Sequence, residues 1–79
     1  MEDIPGSELT SQDLDDIDML EDRILNGKQM IVDLIKFYDS YDEMMEYRVT
    51  IPKSQGVLWC ENPTFRGKDY KWILVLWHT

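Results

Sequence analysis

The sequence predicts an α+β domain in two layers, a helical hairpin packed on one face of a three-stranded antiparallel sheet in the order α-α-β-β-β. Three observations lead there. Apolar residues recur at steps of three and four from Leu14 to Met45, the spacing of one helix face. The period falls to two after Glu46, and the last apolar run, residues 70–77, is greasy on both sides, as in a strand buried twice. A chain of 79 residues buries only about 60 to 65% of the surface its unfolded form exposes. That suffices for one modest core, and not for a catalytic domain beside a cofactor domain.

Residues 1–9, MEDIPGSEL, hold three acids and a Pro-Gly pair without periodicity; they read as a flexible acidic tail before a single domain over residues 10–79. Thr10 followed by Asp13 resembles a capping box, hydroxyl and carboxylate serving the free N–H groups of a helix start. Leu14, Ile17, Leu20 and Ile24 then form the apolar stripe of a first helix, Asp15, Asp18 and Asp22 share its other side, and Asn26-Gly27 ends it. A second helix is expected over residues 28–46. Ile31, Leu34, Ile35, Tyr38, Tyr41 and Met45 make its stripe, and Asp39, Glu43 and Glu46 continue the acidic ridge on its exposed side.

Tyr47, Val49 and Ile51 alternate with Arg48 and Thr50 and are stopped by Pro52, which reads as a first strand. Residues 57–60 make a second, a loop follows through Asn62-Pro63 and Arg66-Gly67, and residues 70–77 make the third. Tyr70, Trp72, Leu74 and Leu76 point one way on it; Ile73, Val75 and Trp77 point the other. A hairpin of helices covers one face only. Ile73, Val75 and Trp77 are therefore expected to form an apolar interface for a second copy or a partner.

Charge is divided sharply along the chain. The net of −8 is made of 14 acids against Arg23, Lys28 and Lys36 in residues 1–46, and two acids, Glu61 and Asp69, against five bases in residues 47–79. The acidic half either meets the basic half, within the fold or in a dimer, or faces a basic partner. A negative field of this size disfavours direct binding to nucleic acid. The longest apolar run, residues 72–77, is too short for a membrane span, and no charged-then-apolar leader opens the chain. A soluble protein of the cytoplasm, or of a host's interior, is expected.

Chemistry is sparse. Cys60 is the only thiol and His78 the only imidazole, so thiol catalysis would need that pair, and no internal disulfide or closed zinc site can form. The acidic run DLDDIDMLED lacks the glycine and terminal glutamate of a calcium loop. Residues 65–72, FRGKDYKW, interleave bases with aromatics, a pattern that grips single strands, yet the run is short and the chain is acidic. No enzyme, cofactor or metal is expected.

What remains is the acidic ridge. Carboxylates one helical turn apart lie about 5 to 6 Å from one another, near the spacing of successive phosphates, so Asp15, Asp18, Asp22, Asp39, Glu43 and Glu46 could present a phosphate-like row. Tiny, acidic and without alanine, the chain resembles in composition the accessory proteins of viruses and bacteriophages that occupy nucleic-acid-handling proteins of the host, DNA-mimicking inhibitors among them. That likeness carries no motif and transfers no site residue. The expected function is a non-catalytic protein that binds and blocks or regulates a basic, nucleic-acid-handling partner. The alternative is a structural or assembly subunit that forms a homodimer or larger oligomer through Ile73, Val75 and Trp77, its acids serving only solubility.

Overall fold

The structure, a computed structural model, describes residues 3–20 and 31–78. Its elements are β1 (Ile4–Pro5), a 3-10 turn (Gly6–Glu8), α1 (Ser11–Leu20), β2 (Ile31–Tyr38), α2 (Tyr41–Arg48), β3 (Gly56–Glu61), β4 (Thr64–Phe65), β5 (Lys68–Asp69) and β6 (Trp72–His78). The α+β class stands. Four antiparallel strands form the main sheet in the order β1-β2-β6-β3, and β4 and β5 pair separately.

The helical hairpin gives way at its second member. Residues 31–38 are a strand, because Ile31, Val32 and Ile35 are β-branched and stiff in a helix, and Phe37 and Tyr38 suit a pleated surface. A bulge explains why the segment looks helical. Register slips between Val32 and Leu34, so Val32 and Ile35 point to the same side although they stand three residues apart, the step of a helix face. Beyond the bulge the alternation is regular: Ile35 and Phe37 are buried, and Lys36 and Tyr38 half-buried.

The helix starts later, at Ser40, whose hydroxyl accepts the Glu43 backbone N–H at 3.2 Å. Ser40-Tyr41-Asp42-Glu43 has the S-x-x-E form of a capping box. Ser40→Ala is expected to cost about 1 kcal/mol, read as a lower urea midpoint with an unchanged slope. The helix runs through Arg48, and Val49 to Ile51 close it in turns; the strand expected at residues 47–51 is absent because those N–H groups bond back to Met45, Tyr47 and Arg48 carbonyls.

Residues 3–9 of the expected tail also belong to the fold. Ile4 pairs with Ile35 and is 7% exposed inside the core, while Pro5, which has no N–H to donate, suits an outermost strand. The first helix starts as expected: Thr10 N–H donates to Asp13 Oδ2 at 3.0 Å, and Asp13 N–H to Thr10 Oγ1 at 3.2 Å. Its expected stop at Asn26-Gly27 lies outside the described residues.

Residues 56–77 form one long hairpin. The β3–β6 and β4–β5 ladders keep a single register, joined by Asn62 N–H to the Lys71 carbonyl and Tyr70 N–H to the Pro63 carbonyl. Arg66 and Gly67, both with positive φ, make its tip, the backbone of a tight two-residue hairpin turn. Left-handed Asn62 (φ 55°) interrupts the alternation, and Phe65 turns into the core against Phe37, ring centroids 5.7 Å apart.

The sheet consequently has cover on both faces. Ile17 of α1 and Phe65 close the face made by Val32, Ile35, Phe37, Leu58, Ile73 and Val75. On the opposite face Tyr41 of α2 meets Trp72 at 5.2 Å, and Tyr47 lies 6.4 Å from Tyr38. Met44 of α2 and Leu74 are both fully buried. This corrects the two-layer arrangement and the apolar interface with it: Ile73 and Val75 are 0% exposed in the centre of the chain's own core, and Trp77 packs at its edge. A sheet face open to a partner at those residues does not exist.

Candidate functional site

Among the described residues, some acids are held by a basic side chain or another donor within the fold and others stand exposed without an ion pair. Asp13 is the most enclosed, at 2% exposure. Arg66, from the hairpin tip, reaches it with Nε on Oδ1 at 2.8 Å and Nη2 on Oδ2 at 2.7 Å, and the Arg66 backbone N–H donates to Asp16 at 3.0 Å. That fork holds the Asp13 carboxyl at about 2, below its ordinary 3.8, against burial, which pushes the other way; the Thr10 N–H adds to the lowering. Asp3 pairs with Lys36 at 2.8 Å. Asp33, displaced by the bulge, meets His78 Nδ1 at 2.8 Å and accepts from Gln55 Nε2 at 3.2 Å. The hydrogen bond from His78 lowers its pKa, with burial opposing.

The acids expected to form the ridge belong to the second group. Asp15 and Asp18 stand exposed on α1; Asp39 precedes α2, and Glu43 and Glu46 are exposed on it. None of the five takes part in an ion pair among the described residues. Asp22 lies outside the described residues. The two sets are not one row, because α1 and α2 sit on opposite faces of the sheet. Around α2 the set is denser than expected: Asp42 is exposed too, so Asp42 and Glu43 lie one turn from Glu46 on a single stripe, with Asp39 just before the Ser40 cap. The buried Met44 and the half-buried Met45, Tyr47 and Arg48 give the other side to the sheet. Asp42 was legible in the sequence once Ser40 is recognised as the cap, since the cap fixes the helix phase.

The other constellations do not converge. Cys60 is opposite Ile73, and His78 lies five residues further along β6, a separation of about 17 Å at 3.3 Å per residue. No cluster of three or more potential metal ligands occurs among the described residues. A cleft of about 780 Å³ opens beside the hairpin tip between Tyr38, Asp39, Asn62, Lys68, Tyr70 and Lys71. It takes in the centre of the base-and-aromatic run, yet Tyr70 is stacked on Phe37 at 4.0 Å and Lys68 lies 5.5 Å from the Tyr70 ring. All three aromatics of the run, Phe65, Tyr70 and Trp72, are thus tied into the fold, and Asp39 and Asp69 share the lining with the lysines. Among the described residues no helix is long and apolar enough to cross a membrane.

No family model matches the sequence, and no curated protein or solved structure is significantly similar to it.

Proposed function

We propose that this chain is a non-catalytic interaction protein whose acidic stripe on α2 docks on a basic, nucleic-acid-handling partner and blocks or regulates it. The observation that carries the reading is the separation of the acids. Lys36 and Arg66 are engaged with Asp3 and Asp13, and Asp16 and Asp33 accept hydrogen bonds from the Arg66 N–H and the Gln55 amide, while Asp39, Asp42, Glu43 and Glu46 lie at the start of α2 and along it, exposed and without an ion pair among the described residues. A row of this kind attracts a positive groove from a distance and speeds encounter. It also keeps a small acidic domain soluble, which is the competing explanation.

Charge reversal separates the two. Asp39→Lys, Glu43→Lys and Glu46→Lys together are expected to abolish capture of a basic partner from a lysate of the source cells, with the circular-dichroism spectrum intact. Asp15→Lys with Asp18→Lys, on the opposite face, is expected to retain it. Equal capture by both variants and the parent would leave the α2 acids as solubilising surface and end the proposal.

A further inference from the structure

We infer that β3 is a docking edge for a second copy of this chain, forming a two-fold dimer by antiparallel pairing of β3 with β3. The register shows which backbone groups are on offer. Asn62 N–H reaches the Lys71 carbonyl across the hairpin, so with alternate residues bonding across an antiparallel ladder, Gly56, Leu58 and Cys60 bond inward to β6. Val57, Trp59 and Glu61 then direct their N–H and C=O groups to the outside. Apart from a 3.5 Å contact from Cys60 Sγ to the Glu61 carbonyl, these outward groups take no partner among the described residues.

Of the usual protections the edge carries only one charged side chain, Glu61 at its end. β3 has six residues in unbroken register, with no proline, no lysine and no bulge, whereas the opposite edge is a two-residue strand ending in Pro5. Self-pairing with Trp59 on the axis sets Trp59 opposite Trp59 and Val57 opposite Glu61 twice over. All three outward residues of each copy are then used, in six backbone hydrogen bonds. A shift of register by two leaves some of them unpaired.

Charge complementarity identifies the occupant as this same chain. Val57, Trp59 and Glu61 project on the face that α2 covers, where the Arg48 guanidinium lies 5.6 Å from the Trp59 ring. Arg48 Nε is buried without a hydrogen-bond partner, and Glu61 is exposed with no ion pair among the described residues. In the symmetric register Glu61 of each copy stands diagonal to the other copy's Trp59, on the same face and within reach of the guanidinium above it. One chain thus supplies both halves of the complement, Glu61 from β3 and Arg48 from α2, and the symmetry makes the pair twice. The two main sheets become one of eight strands with both α2 helices on one side. The inference does not depend on what the α2 acids bind.

Sedimentation of the full chain from about ten micromolar to about one millimolar is expected to show a monomer passing to a dimer, favoured by added salt because both copies are acidic. Val57→Pro removes an outward N–H without touching the β3–β6 bonds and is expected to stay monomeric. Glu61→Arg is expected to weaken the dimer about tenfold, and Glu61→Arg with Arg48→Glu to restore it. Hydrogen exchange on the unaltered chain reads the same surface: amides of Val57, Trp59 and Glu61 slow with concentration, while Leu58 and Cys60 are slow throughout. A chain monomeric over the whole range, a Val57→Pro variant that dimerises as the parent does, or edge amides that slow only when a foreign protein is added would each overturn the self-pairing.

Discussion

Ile73→Ala is expected to cost about 3 to 4 kcal/mol of unfolding free energy, the ordinary result of removing three carbons from a site that cannot collapse. Ile73 has no exposed surface, lies between β2 and β3 across from Phe37 and Cys60, and belongs to a cluster closed by Ile17 and Phe65 from two further elements. A domain of this size has about 4 to 12 kcal/mol in all, so the variant loses a large part of its stability. Urea unfolding at a concentration where the parent is monomeric measures it. Had Ile73 faced a partner, truncation would alter association and leave the monomer nearly as stable; a cost under about 1 kcal/mol would mean that this face is not the core.

Arg66→Ala is expected to remove about 2 to 3 kcal/mol, the range for hydrogen bonds to a charged group whose partner is left behind in the interior. The arginine side chain is itself 46% exposed, but the carboxylate it serves has 3% of its side-chain surface in solvent. The same pair sets a pH dependence. Asp13 titrates at about 2 in the folded chain and near 3.8 unfolded, so in acid the unfolded state binds the proton first. The stabilisation is whole above pH 3.8 and is lost as the pH falls through about 2. Asp33, lowered through His78, adds in the same direction. Arg66→Ala should therefore flatten the acid limb of the stability curve while lowering its plateau. An acid limb identical to that of the parent would show that Asp13 does not depend on Arg66.

These two pairs of residues also show what the sequence could reveal. The Thr10 and Asp13 capping box was legible because both partners are local, and so was β3, whose apolar run is bounded by Gly56 and Pro63. The Asp13–Arg66 contact was not, since 53 positions separate the two and only the hairpin tip brings them together. Residues 31–38 misled because the bulge at Asp33 imitates a helical step, and Ile31, Leu34, Ile35 and Tyr38 fit the helical period although the strand buries only Ile35 of the four in the core. Once β2 enters the sheet, β6 becomes a central strand, and the need for an outside partner at Ile73 and Val75 disappears. Of the candidate site, Asp39, Glu43 and Glu46 were readable as an exposed face; their separation from Asp15 and Asp18 by a whole sheet was not, because it follows from where α1 and α2 dock.

The central claim is that unpaired carboxylates on α2 meet a basic protein. It is tested most directly by capturing partners from a lysate of the source cells on the immobilised chain, eluting in steps of rising salt and identifying each fraction by mass spectrometry. The account predicts a basic nucleic-acid-binding protein released at intermediate salt, as screening shortens the reach of surface charge. Recovery of only salt-resistant apolar partners, or of nothing beyond the chain itself, would contradict it.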